Sequence, residues 1–114
     1  MCRVCEAHIN SRSKHCGECN RCVSDFDHHC KWLNNCIGEA NYRHFFIVVA
    51  TYLLHSTYIA CVAAFILSGT QNLKVLSSIV LIESFIKVFV LGQLLVTHIW
   101  LYYNGMSTYD YVME

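Results

Sequence analysis

The chain has 114 residues and carries eight Lys or Arg against eight Asp or Glu, so its zero formal net charge gives no support to nucleic acid as a partner. Hydrophobic residues make up 55% of it, proline is absent, and six of the eight basic residues (Arg3, Arg12, Lys14, Arg21, Lys31, Arg43) precede residue 45. That length holds one ordinary domain, here a polar, cysteine-rich start followed by an apolar remainder.

Leaving Cys30 aside, residues 1–44 hold six cysteines: Cys2, Cys5, Cys16, Cys19, Cys22 and Cys36. Cys2/Cys5, Cys16/Cys19 and Cys19/Cys22 have CxxC spacing, which lets one tight turn bring two thiolates to a single metal at about 2.3 Å. Closed tetrahedral zinc sites take four ligands each, and the six cysteines with two histidines would fill two of them. His15 abuts Cys16 and is a natural ligand, so the other histidine must come from Asp27-His28-His29-Cys30. Alternate side chains of an extended segment share a face, which turns His29 toward the metal and away from His28 and Cys30. The favoured pairing is interleaved, with Cys2, Cys5, His15 and Cys22 on one ion and Cys16, Cys19, His29 and Cys36 on the other. Sequential pairing also satisfies the spacing, and His8 reads as a surface residue. The apolar content is too small for a core, so two structural Zn²⁺ would supply most of the folding free energy, about 10 kcal/mol per site. Short hairpins and zinc knuckles are expected, with no long helix. No internal repeat or low-complexity segment is evident.

Asp27, His28 and Cys30 are then left as an acid, a base and a thiol without structural duty. A thiol activated by an imidazole that a carboxylate orients is a nucleophilic arrangement, with Cys30 as nucleophile, His28 as base and Asp27 fixing the tautomer. The plainer reading makes Cys30 a ninth, redundant metal ligand and Asp27 a turn residue. Eight cysteines would also suit a secreted disulfide scaffold, but CxxC pairs with interleaved histidines, and Cys61 inside an apolar run, favour reduced thiols facing the cytosol.

Residues 45–68 contain no formal charge and are long enough for a transmembrane helix, which needs about 20 apolar residues. His55 near its middle reads as neutral and packed against another helix, with a ligand-lining face around Thr51, His55 and Tyr58 as the alternative. Residues 69–74 form a lumenal turn and residues 75–103 a second transmembrane helix. Glu83 and Lys87, four apart, can pair there, while Gln93 and His98 read as interhelical hydrogen bonders. Trp100, Tyr102 and Tyr103, with Trp32 and Tyr42, suit an interfacial belt. The basic module before the first span places itself, and with two spans also the tail 104–114, on the cytosolic side. The expected fold is therefore a membrane protein: a small, irregular two-zinc module of short hairpins followed by an antiparallel pair of transmembrane α-helices.

The pattern from Cys2 to Cys36, with Asp27-His28-His29-Cys30 inside it and Asn41 and Phe45 following, resembles the cysteine-rich domain of the DHHC protein S-acyltransferases, or palmitoyltransferases. The two spans and the tail extend the resemblance over nearly the whole chain, and DHHCKWLNNCIG and the GQLL-THIWL stretch look most like the endoplasmic reticulum and endosomal branch. The resemblance implies that Cys30 takes a fatty acyl group from palmitoyl-CoA or another long-chain acyl-CoA and passes it to a membrane-proximal cysteine of a protein substrate. His28 and Asp27 would activate Cys30, and both zincs would be structural. It also implies an integral, multi-pass protein of the endoplasmic reticulum, Golgi or endosome.

Members of that family normally have at least four spans. The two that would precede the zinc module, and an Asn-containing motif beyond the tail, are not in this chain. Ser107-Thr108-Tyr109-Asp110 stands where the family has Thr-Thr-x-Glu and keeps hydroxyl and carboxylate. The chain thus reads as a fragment or short form, expected to turn over weakly by itself. The alternative to the enzyme is a catalytically weak or inactive zinc-binding membrane adaptor that binds a partner protein, a second copy or an intact homologue. A redox role for the CxxC pairs is disfavoured, because zinc would occupy their thiols.

Overall fold

The computed structural model describes residues 1–69 and 71–113, and for Gln71 the backbone alone. Four short strands come first, β1 Lys14–Cys16, β2 Arg21–Val23, β3 His28–Cys30 and β4 Asn35–Ile37, as two antiparallel hairpins. Two long helices follow, α1 Tyr42–Gly69 and α2 Lys74–Tyr103, joined through a 3₁₀ turn at Gln71–Leu73, and a short helix α3 Thr108–Met113 ends the chain's described part. The expected class, short hairpins and then two long apolar helices, is the one observed. Thr70 of the expected turn and Glu114 of the expected tail lie outside the described residues.

One unit comprises residues 1–45 together with the chain from His98 onward. Its hairpins recur at a fixed interval of fourteen residues. Cys2 bridges Ala7, Cys16 pairs with Arg21 and Cys30 pairs with Asn35. Each pair closes a turn whose fourth residue is left-handed: Glu6 (φ 52°), Asn20 (φ 47°) and Asn34 (φ 46°). The absence of an internal repeat, expected from the residue pattern, is therefore corrected by the backbone. Asn tolerates the left-handed region better than most residues, and Glu does not, so these turns carry their geometry without the glycine that would have announced it.

The hairpins are tied together by hydrogen bonds more than by apolar packing. Asp27 N–H donates to Ile37 O (2.9 Å), Phe26 N–H to Arg12 O (3.2 Å) and Glu39 N–H to Ser24 O (3.1 Å). Gly38 sits where an added Cβ would stand 2.7 Å from both Ser24 O and Val23 Cγ1, so only glycine lets this crossing close. Asn41 secures the start of α1. Its carbonyl accepts from Phe45 N–H (2.9 Å), its Oδ1 from Gly38 N–H (3.0 Å), and its Nδ2 donates to Cys36 O (2.9 Å). Helix α1 therefore begins before the apolar run at residue 45, because hydrogen bonding starts a helix and apolarity only marks the part that suits lipid.

At the other end, α2 stops in a Schellman turn: Met106 N–H donates to Leu101 O (3.1 Å), Gly105 N–H to Tyr102 O (3.2 Å), and Gly105 is left-handed (φ 64°). Ser107 and Asp110 then form a capping box. Ser107 Oγ accepts from Asp110 N–H (3.1 Å), while Asp110 Oδ2 accepts from Ser107 N–H (3.2 Å) and hydroxyl (2.7 Å). This starts α3 within the expected tail. Tyr109 on α3 meets Phe26 edge-on (5.8 Å) and lies 5.1 Å from the Lys14 ammonium.

The second unit, Phe46–Thr97, is the bulk of the two long helices. At 28 and 30 residues they are about 42 and 45 Å long, more than the ~30 Å hydrocarbon core requires, and both are apolar enough to cross a membrane. Their buried positions recur every seven residues, Val49, Ser56 and Ala63 on α1 and Ser77 and Ser84 on α2, and so lie along one stripe of each helix. Glu83 and Lys87 pair at 2.6 Å. His55, expected to pack against a helix, is instead exposed on α1, as is Gln93 on α2.

Candidate catalytic and metal centres

Strand alternation divides the ligands. On β1 and β2, His15 pairs with Cys22, while Cys16 next to it points to the opposite face. His15 and Cys22 thus join Cys2 and Cys5, and Cys16 goes with Cys19. On β3 and β4, His29 pairs with Cys36 and joins that second group. The donor atoms of Cys2, Cys5, His15 and Cys22 all lie within 4.8 Å of one another, and so do those of Cys16, Cys19, His29 and Cys36. The sequential pairing left open by spacing is not the one the fold assembles.

Both groups fit a tetrahedral metal. With zinc–sulfur bonds of 2.3 Å and zinc–nitrogen bonds near 2.0 Å, the edges of such a site run about 3.5–3.8 Å. In the first group, His15 Nδ1 lies 3.3 Å from Cys5 Sγ and 3.9 Å from Cys22 Sγ, with the two sulfurs 3.5 Å apart. In the second, His29 Nδ1 lies 3.7, 3.4 and 3.7 Å from the sulfurs of Cys16, Cys19 and Cys36. The electrostatics agree. Hydrogen bonding to Cys2, burial and repulsion from its neighbours push the Cys22 thiol up to about 12. Burial, with Cys19 and Cys16 close by, pushes Cys36 up to about 12 as well. Cys2 is lowered instead by a hydrogen bond from the Cys5 backbone, and Cys16 is lowered, against its burial, by one from Cys19, so each group pairs a readily ionised thiol with a reluctant one, and either group could hold a metal ion. All eight cysteines are free thiols.

Asp27, His28 and Cys30 belong to neither group. His28 Nδ1–H donates to Asp27 Oδ2 at 2.6 Å, which leaves Nε2 as the nitrogen able to take a proton. Asp27 is 3% exposed. Burial opposes its ionisation, but hydrogen bonds from His28 and Thr108 outweigh that and hold its carboxyl below the ordinary carboxylate value. Those from Thr108 reach both oxygens, N–H to Oδ1 at 2.9 Å and hydroxyl to Oδ2 at 2.8 Å. Cys30, two residues along β3 from His28 and on the same face, is also buried. A groove of about 580 Å³, lined by Arg21, Ser24, Asn35 and Asn41 among others, includes none of these three residues.

The DHHC palmitoyltransferase family model matches residues 1–114. The chain belongs to the DHHC palmitoyltransferase family. It is 30% identical to human palmitoyltransferase ZDHHC11 over an alignment covering 100% of this chain and 36% of that protein. It is also 34% identical to protein S-acyltransferase 8 and 32% identical to probable protein S-acyltransferase 7, both of Arabidopsis thaliana, with 96% of this chain and 30% and 27% of theirs covered. The chain thus spans about a third of the length of these curated relatives.

Two residues next to this DHHC segment escaped the sequence reading as site residues. Thr108 stands in the sequence only as part of a variant motif. Ser107-x-x-Asp110 was the available signal, since that pattern starts a helix and so fixes where Thr108 faces. His98, read only as an interhelical hydrogen bonder, does bond Tyr42, its Nδ1 3.1 Å from the hydroxyl. It also brings a ring nitrogen within 4.8 Å of both Asp27 and His28, and its ring lies 5.8 Å from that of His28. Phe45 closes the other side, 5.2 Å from His28 and 5.0 Å from His98. The signal for His98 was its register, two heptads beyond Ser84 on the buried stripe of α2.

Proposed function

We propose that this chain carries the acyl-transfer centre of a protein-cysteine S-palmitoyltransferase, with Cys30 as nucleophile, His28 as general base and Asp27 as the residue that orients it. The observation that supports this best is the Asp27–His28 hydrogen bond, held from behind by Thr108, beside the one module cysteine that neither metal group uses. In the first half-reaction His28 Nε2 takes the Cys30 proton, and the thiolate attacks the thioester carbonyl of a long-chain acyl-CoA. The carbon–sulfur bond to CoA breaks, and CoA leaves as its thiol with the proton from His28. In the second half His28 takes the proton of a substrate cysteine, whose thiolate attacks the acyl carbonyl; the bond to Cys30 breaks, the acyl group leaves on the substrate, and His28 returns the proton to the Cys30 sulfur. Thioester exchange between thiols is nearly isoenergetic, so a prepared thiolate and positioning are what the protein contributes.

Two Zn²⁺ are the ions that best suit three thiolates and one imidazole per group. Bound there, each would fix one hairpin against the next; the ligands would be Cys2, Cys5, His15 and Cys22, and Cys16, Cys19, His29 and Cys36. Acceptors would be membrane-proximal cysteines of other proteins. The basic residues before α1 favour the cytosolic side for the module and the tail, and the family resemblance favours an endomembrane. The test is acylation of the chain itself. In membranes with labelled palmitoyl-CoA, hydroxylamine-sensitive label is expected on wild type and on Cys61→Ser and is expected to be lost in Cys30→Ser. Loss of all Cys30-dependent label while both metals stay bound would replace the enzyme reading with that of a zinc-binding adaptor.

A further inference from the structure

Every ligand of the first metal group has its counterpart fourteen residues later in the second: Cys2 and Cys16, Cys5 and Cys19, His15 and His29, Cys22 and Cys36. The bridges and the left-handed turn residues keep the same interval, and they do so three times. Each metal group therefore takes two sulfurs from the turn of one hairpin and a His–Cys cross-strand pair from the next. The third hairpin has such a turn as well, Cys30-Lys31-Trp32-Leu33-Asn34, closed by the Cys30–Asn35 pair and by left-handed Asn34. In this copy Cys30 stands where Cys2 and Cys16 stand, and Leu33 stands where Cys5 and Cys19 stand. The His–Cys pair that a fourth hairpin would offer falls at Arg43 and Ala50, which are in α1.

We infer that residues 2–37 are three copies of one metal-knuckle hairpin, and that Cys30 is the leading cysteine of a third, latent soft-metal site from which Leu33 withholds the second thiolate of the turn. The same turn that presents two thiolates to an ion in the first two copies presents a single thiol in the third. Its nucleophile is thus a metal-ligand position relieved of metal. Leu33 is exposed and supports no core, so of the missing ligand positions it is the one that can be replaced without disturbing the fold. The ligand class for the restored site is a thiophilic divalent cation, Zn²⁺ or Cd²⁺, held by two thiolates with water completing its shell.

This inference rests on Cys30 being the nucleophile only for its effect on activity. The metal count tests it independently. The 114-residue chain, kept in reductant, is loaded with Zn²⁺ or Cd²⁺ as wild type, Leu33→Cys, Leu33→Ser and the Leu33→Cys/Cys30→Ser double variant. The readouts are bound metal per chain, the Cd²⁺–thiolate absorbance, and label from palmitoyl-CoA. Leu33→Cys is expected to hold one more ion than wild type and to lose label at least tenfold until a mild chelator removes that ion. Leu33→Ser should keep the wild-type count and label, and the double variant should lose the extra ion. An unchanged count in Leu33→Cys, with the other two groups loaded, would overturn the inference, as would an extra ion that survives Cys30→Ser. Label that persists in Cys30→Ser alone would overturn the proposed chemistry and leave the latent site standing.

Discussion

The first metal group has one buried cysteine, Cys2, and one exposed, Cys5, whereas the second has two buried, Cys16 at 5% and Cys36 at 2% exposure, and none exposed. They share one ligand plan, so the difference comes from position in the series. The first joins the opening hairpin to the second hairpin and meets little else. The second joins the second hairpin to the third, which carries Asp27, His28 and Cys30 and is itself gripped by Asn41 and Thr108. With metal bound as proposed, the same coordination chemistry would anchor an edge in one case and the proposed reacting groups in the other.

The largest effect should come from breaking the two groups separately. Cys36→Ser is expected to release one metal and reduce Cys30-dependent label more than about 100-fold, because misplacing a reacting group by about 1 Å already costs that much. Cys5→Ser should also release one metal yet keep a measurable fraction of label. Metal content by atomic spectroscopy and label on the same sample check both, and equal losses of label would remove the distinction. Acid should act on both groups alike. Their bound forms are deprotonated, whereas in the metal-free chain Cys22 and Cys36 stay protonated up to about 12. Binding must therefore release protons, and affinity should fall by about tenfold per pH unit for each proton released as pH drops from 8 to 6. Chelator competition across that range measures it; a flat profile would contradict thiolate ligation.

Thr108→Ala should reduce label about tenfold, since it removes the side-chain hydrogen bond to a buried carboxylate whose charge orients His28. Both metals should remain, and loss of either would mean that Thr108 supports the fold instead. Gly105→Ala is expected to cost about 1 kcal/mol, because its left-handed φ of 64° suits only glycine without strain. Thermal melting measures that, with a smaller fall in label through displaced α3. The smallest change runs in the opposite direction. Glu6→Gly and Asn20→Gly should each stabilise the metal-bound module by a few tenths of a kcal/mol, because both turns already occupy a left-handed conformation.

The ligands were legible because CxxC spacing and strand alternation are local rules. Cys16 and His15 separate, and His29 separates from His28 and Cys30, on period two alone. The long helices were legible because lipid demands an uninterrupted apolar run. The repeat was not: its copies share ligands and a backbone turn, while the residues between, Arg3-Val4, Gly17-Glu18 and Lys31-Trp32, have nothing in common. Nor was the support behind Asp27, since Thr108 lies 81 residues away and reaches it only after a Schellman turn and a capping box redirect the chain.

Metal binding as proposed consumes six of the seven module cysteines and spares Cys30. Native mass spectrometry of the metal-loaded chain, followed by alkylation and mapping of the modified cysteines, tests it directly. Two bound ions with alkylation confined to Cys30 and Cys61 is the predicted result. Protection of Cys30 together with the other six, or alkylation of Cys16 or Cys36 while two ions remain bound, would contradict it.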